Sequence, residues 1–415
     1  MSGFHRADGE LACDCVRLSD IAREVGTPVY VYSRALIEEN YRRFDAAFEP
    51  VPHVVCYAAK ANSNLSVLEC LARLGSGADV VSGGELRAVL ERGFTPERVV
   101  FSGVGKTDEE IRDGVAAGIL ALNVESEPEL RKVNSAALAA GVVARVALRV
   151  NPDIDARSHP YISTGRRHNK FGVDIRAARA LFEAARSLPG VRMTGVQAHI
   201  GSQILDVEPL AEAARELAAL ALSLREDGGF PIETLDIGGG LGIPGEGERG
   251  ATPEEYASAV LPHLLGLPFK ILIEPGRAIV GPAGVLLTRV LYLKDTSEKR
   301  FVITDAGMND LLRPALYDAI HPIESVRPRA GSFTADVVGP VCETSDFFAR
   351  DREIDAVEEG DWLAIRDAGA YGLAMSSNYN FRPRAAEVLV EGDAYRVVRR
   401  RETYEDLTRL ETTDD

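Results

Sequence analysis

HVVCYAAKANSNLSVLECLARLGSGADVV (53–81) reads as a strand, a helix and a second strand. The apolar runs HVVCYA (53–58) and ADVV (78–81) are short and show little alternation, which suits strands buried on both faces of a parallel sheet. The segment between them reads as a helix that stops at Gly75, since glycine accepts the left-handed conformation that closes a helix.

The same unit repeats outward. Further strand candidates are RVVFS (98–102), LALNV (120–124), VARVALRVN (143–151), MTGVQAHI (193–200), TLDIG (234–238) and KILIEP (270–275). Thr107–Glu110, Ser126–Glu129 and Thr252–Glu255 have capping-box spacing, in which the cap hydroxyl takes a backbone N–H and the glutamate reaches back. Pro253 falls at a first helical position, and Gly93, Gly118 and Gly141 end helices. Eight strands, each preceded by a helix (the first at 34–48), predict an α/β fold, a closed (β/α)8 TIM barrel over 31–280. An open doubly wound sheet is the alternative.

Beyond residue 280 the pattern changes. GVLLTRVLYLKD, RFVITDAG, ADVVGPVC, DWLAIRD, EVLVEG and YRVVRR read as strands separated by turns. Residues 281–415 therefore form a second, mostly β domain of barrel or sandwich type, which 1–30 and the strand PVYVYS (28–33) join.

The 415 residues carry a net charge of −16, with 46% hydrophobic and 27% charged residues. The charge opposes binding a polyanion, and no Lys/Arg-rich run with interleaved aromatics suggests nucleic acid. Five cysteines, including Cys13 and Cys15 in a lone C-x-C, do not resemble a disulfide framework or a metal site. No signal-peptide pattern and no apolar run of about 18 residues occurs, so the cytoplasm is the expected compartment.

In such a barrel the active site forms at the C-terminal strand ends. Lys60 follows the first strand, His199 ends the sixth, GGGLG (238–242) follows the seventh, and EPGR (274–277) closes the eighth. Lys60 stands between apolar YAA and AN, where desolvation would supply the neutral amine needed for a Schiff base. Three consecutive glycines let backbone N–H groups approach a phosphate, although a glycine cluster also serves as a tight turn. Lysine plus phosphate grip points to pyridoxal phosphate; neither a Walker motif nor a Rossmann glycine fingerprint follows a strand. Glu274 would keep the pyridine nitrogen protonated, and a protonated ring is a strong electron sink. His199 offers a flat ring to stack on the cofactor, or is a satisfied core histidine.

YAAKAN, HIGSQ, GGGLG and EPGR, in this order and spacing, resemble the barrel-type pyridoxal-phosphate decarboxylases related to alanine racemase. RPALYDAIHPI (313–323), GPVCETSD (339–346) and Tyr371-Gly372 narrow the resemblance to the diaminopimelate decarboxylases. The resemblance implies decarboxylation of meso-2,6-diaminopimelate to L-lysine and CO2, the last step of lysine biosynthesis, with pyridoxal 5′-phosphate on Lys60 and His199 stacked on its ring. It assigns the phosphate to Ser202, Gly239, Gly240, Gly276 and Tyr371, and the pyridine nitrogen to Glu274. It assigns the distal end of the substrate to Arg277, Arg313 and Tyr317. Cys342 and Glu343 would enter the site from the partner subunit of a homodimer, with Lys60 or Cys342 protonating the α carbon. The substrate chemistry agrees: arginines clamp a carboxylate in planar, bidentate fashion, and Glu343 can pair with an ammonium.

The competing readings are decarboxylation of ornithine, arginine or carboxynorspermidine, racemisation, and non-catalytic binding of pyridoxal phosphate. Two arginines suit a substrate with a distal carboxylate better than one with only a distal amine. A mere carrier has no need of Arg313, Tyr317 and Glu343.

Overall fold

A computed structural model describes residues 3–156, 159–162, 164–165, 169–245 and 247–412. The chain divides into two units, one comprising Asn40–Ile243 and Arg249–Ala278, the other Met1–Glu39, Pro244–Glu248 and Ile279–Asp415.

The first unit is a closed parallel barrel. Its strands are β1 (His53–Ala58), β2 (Gly77–Val80), β3 (Val99–Phe101), β4 (Ala121–Val124), β5 (Ala144–Asn151), β6 (Val191–Gln197), β7 (Thr234–Asp236) and β8 (Lys270–Ile273). Neighbours in sequence are neighbours in space, and Ile271 of β8 pairs with His53 of β1 to close the ring. The open-sheet alternative is thereby excluded. Strand interiors are almost wholly buried, as their apolar composition requires. Thr107 and Thr252 form the predicted reciprocal caps. Ser126 does not. Its hydroxyl accepts from Glu129 N–H, but the Glu129 carboxylate takes the N–H of Glu125 and the buried ammonium of Lys106 instead.

The second unit is mostly β. Val29–Ser33 lies inside its largest sheet, antiparallel to Gly284–Asp295 and parallel to Ala386–Glu391. Alternation sorts its side chains. Val29 and Val31 enter an apolar core with Leu18, Ile21, Val285, Leu287, Val388 and Val390. Tyr30 and Tyr32, also buried, donate to Asp310 O and Glu387 Oε1, each at 2.7 Å. The strand expected over ADVVGPVC stops at Val338, and 339–346 turns back into Phe347–Asp355. That last strand, FFARDREID, and the hairpin Phe4–Ala7/Glu10–Cys13 extend the predicted strand set.

Candidate active site

β1 ends at Ala58, and the single turn Ala59–Ala61 that follows carries Lys60. Ala58 N–H donates to Pro275 O at 3.1 Å, which laces the end of β8 to this turn. A Cβ on Gly276 would lie 2.9 Å from Ala61 Cβ and 3.0 Å from Ala58 Cβ, so glycine lets EPGR settle against the Lys60 turn. Lys60 Nζ contacts Asp79 Oδ2, from the end of β2, and the Asp79 side chain is completely buried. Lys60 is thus ion-paired to a carboxylate that its apolar sequence neighbours do not announce.

Two further carboxylates stand at neighbouring strand ends. Asp236 closes β7 and Glu274 follows β8, at 1% and 4% exposure. They hydrogen-bond to each other, and Gln197 Nε2 at the end of β6 donates to Glu274 Oε1 at 3.4 Å and Oε2 at 3.3 Å. Burial, then the charges of Asp236 and Asp79, hold Glu274 well above the usual carboxylate range. Burial likewise pushes Asp236 up to about 6. Asp79 pairs with Lys60 while Asp236 and Glu274 bond to each other, and a cation beside them would restore the ionised state of Glu274. A protonated pyridine nitrogen fits that requirement.

The loops after β6, β7 and β8 pack on one another. Gly239 N–H donates to His199 Nδ1 at 3.2 Å, and a Cβ on Gly239 would stand 2.1 Å from Glu274 O. That bond leaves the ring proton of the neutral imidazole on Nε2. Desolvation, then the charges of Lys60 and Arg149, keep His199 well below its ordinary pKa, so the ring is neutral. Gly240 O accepts from Ile204 N–H at 2.9 Å, which ties GGGLG to the HIGSQ loop. The N–H of Gly240 and the buried N–H of Gly276 meet no acceptor among the described residues. Buried N–H groups rarely lack one, so two backbone donors stand ready for an anion. Ser202 Oγ accepts from Arg277 Nη2 at 3.1 Å beside them.

The remaining predicted residues belong to the β unit. Arg313 opens a short helix, Arg313–Tyr317, that ends on Tyr317. Arg313 is only 7% exposed, and its guanidinium meets no acceptor among the described residues. Cys342 is exposed, and its N–H donates to Asn380 Oδ1 at 2.8 Å. Glu343 is exposed next to it. Tyr371 has φ of +55°, a left-handed conformation that non-glycine residues keep mainly where surrounding structure enforces it.

Lys60, His199, Ser202, Gly239, Gly240, Glu274, Gly276 and Arg277 thus gather at the barrel's strand ends. Arg313, Tyr317, Cys342, Glu343 and Tyr371 lie in a short helix and two loops of the β unit. Sequence reasoning missed Asp79, Asp236 and Gln197. The available signal was a polar residue inside an otherwise apolar buried run, as in ADVV and TLDIG.

A family model described as "Pyridoxal-dependent decarboxylase, pyridoxal binding domain" matches residues 34–281. Diaminopimelate decarboxylase of Pseudomonas aeruginosa is 52% identical over 408 residues, 98% of each chain. That of Vibrio cholerae is 50% identical over 410 residues, again 98% of each chain. The crystal structure of the Helicobacter pylori enzyme complexed with L-lysine superposes with a TM-score of 0.92 at 46% identity, covering 95% of this chain and 98% of that one.

Proposed function

This chain belongs to the pyridoxal-dependent decarboxylases, and within them to the diaminopimelate decarboxylases; from that premise we propose that it converts meso-2,6-diaminopimelate to L-lysine and CO2 with pyridoxal 5′-phosphate. The observation that carries the reading is the set of buried carboxylates Asp79, Asp236 and Glu274 at neighbouring strand ends, with Asp79 ion-paired to Lys60. The Helicobacter pylori relative, which binds L-lysine, supports the same product.

When bound through Lys60, pyridoxal phosphate supplies an electron sink for the pair left by the departing carboxylate. Glu274 would hold a protonated pyridine nitrogen, and Gln197 orients the Glu274 carboxylate. Asp79 holds the Lys60 amine through their ion pair. His199, neutral and fixed by Gly239, would offer its ring to the cofactor without adding charge. Gly239, Gly240, Gly276, Ser202 and Tyr371 would hold the phosphate.

Arg277, Arg313 and Tyr317 grip the distal carboxylate of the substrate, and Glu343 receives its ammonium. Those contacts would hold the distal end of the substrate and so select this substrate among amino acids. Lys60 or Cys342 returns a proton to the α carbon. The enzyme works as a cytoplasmic homodimer in which Cys342 and Glu343 complete the partner's site.

Purified protein loaded with pyridoxal phosphate releases CO2 from meso-diaminopimelate, and far less from ornithine, arginine or carboxynorspermidine. Lys60→Ala abolishes both turnover and the visible absorbance of the bound cofactor. Full activity in that variant, or no CO2 from diaminopimelate in the parent, would sink the reading.

A further inference from the structure

The loop at 378–382 has no assigned task, yet it is built around the Glu343 side chain. Tyr379 Oη donates to Glu343 Oε1 at 2.8 Å, and Ser345 Oγ donates to Glu343 Oε2 at 3.1 Å. Next to Tyr379, Asn380 Oδ1 accepts the Cys342 N–H at 2.8 Å, so one turn holds both Cys342 and Glu343. No Lys, Arg or His lies within ion-pair distance of Glu343 among the described residues. The carboxylate is therefore oriented by two neutral donors and has no cationic partner among the described residues.

The turn is rigid at its base and strained at its tip. Asn378 Nδ2 donates to Arg382 O at 3.0 Å and to Glu402 Oε2 at 2.6 Å, and Arg384 N–H donates to the same glutamate oxygen at 2.9 Å. Asn380 and Phe381 have φ of +54° and +58°, and for a bulky residue such as Phe381 that is a costly conformation. Tyr379 is 42% and Phe381 53% exposed, so core packing does not account for the strain. An exposed hydrogen bond of this kind also adds little to folding stability.

We infer that Tyr379 is a specificity-determining positioning residue, whose hydroxyl aims Glu343 at the distal ammonium of the substrate. The inference rests on the proposed function and names one determinant of its substrate choice. The hydrogen bond to Glu343 raises the Tyr379 hydroxyl above its ordinary pKa, so Tyr379 remains a donor at neutral pH. Phenylalanine in its place keeps the ring and loses only the aim of the carboxylate.

The test compares the parent enzyme with Tyr379→Phe, both loaded with pyridoxal phosphate. In the variant KM for meso-diaminopimelate rises about three- to ten-fold, the worth of one hydrogen bond, while kcat and cofactor absorbance stay within two-fold. The inhibition constant of 2-aminopimelate, which keeps both carboxylates and the reacting amine but lacks the distal ammonium, is the same in both proteins. An unchanged KM, or equal loss for both compounds, overturns the role of Tyr379. A parent enzyme that releases no CO2 from diaminopimelate overturns instead the function on which this inference rests.

Discussion

The carboxylate of Asp346 accepts the backbone N–H of Met308 at 2.6 Å, and through its other oxygen that of Val341 at 2.6 Å. Met308 lies in the segment that leads into Arg313, and Val341 immediately precedes Cys342. One buried side chain thereby ties together the two segments of the β unit that carry Arg313 and Cys342–Glu343. Asp346→Asn leaves an amide N–H facing one of these donors. Losing a charge-assisted bond at a buried site costs about 1.5–3 kcal/mol. Urea unfolding should show that loss, with faster hydrogen exchange at Met308 or Val341 and a higher KM. Unaltered exchange at both amides would mean the segments are held by other contacts.

Glu274→Gln removes the negative charge beside the ring nitrogen while keeping the side chain's shape. The variant still takes up the cofactor through Lys60, so its visible absorbance persists. Its kcat falls on the order of 10²-fold or more, the usual cost of one preorganised electrostatic contact in a buried site. Steady-state kinetics decide the matter, and a kcat within a few-fold of the parent would assign the ring nitrogen to another group.

Much of this was legible in the sequence, for identifiable reasons. Strands of a parallel barrel are buried on both faces, so HVVCYA and KILI declare themselves by composition, and Lys60 and Glu274 follow by position. The same rule hid Asp79 and Asp236, because a strand judged by its apolar average conceals the one carboxylate it points inward. Ser126–Glu129 has the spacing of a reciprocal cap, but Lys106 lies too far along the chain for its claim on Glu129 to be read. Phe347–Asp355 escaped because it pairs with one neighbour only and carries the charges common on an edge strand. Bonds such as Tyr379–Glu343 join residues 36 apart in irregular loops, where no periodicity exists to announce them.

Asp310 predicts how stability depends on pH. Burial, only partly offset by the Gly307 N–H and the charge of Arg382, pushes its carboxyl up to about 7 from an ordinary 3.8. Between these values the folded chain binds more protons at this group than the unfolded chain, so its contribution falls as pH rises. That contribution is complete below pH 3.8 and is lost by the time pH passes 7. Asp310→Asn removes the titration. Relative to the parent, the variant should gain about 1–3 kcal/mol between pH 5 and pH 8 in urea unfolding. An equal difference at the two pH values would contradict the assignment.

Arg313 separates the carboxylate-recognising reading from its rivals. A guanidinium at 7% exposure with no acceptor among the described residues is costly for the chain alone, and a bound carboxylate offsets that cost through two parallel hydrogen bonds. Truncation of one member of such a buried charge pair typically loses about 2–5 kcal/mol. Arg313→Ala should therefore raise KM for meso-diaminopimelate on the order of 10²-fold while the cofactor still binds at parental affinity. Because the variant also relieves a buried charge, its melting temperature should hold steady or rise, which excludes misfolding as the cause. A KM equal to that of the parent would move the distal carboxylate to Arg277 and Tyr317 alone, and a decarboxylase for a diamine-type substrate would then fit the β unit as well as this one does.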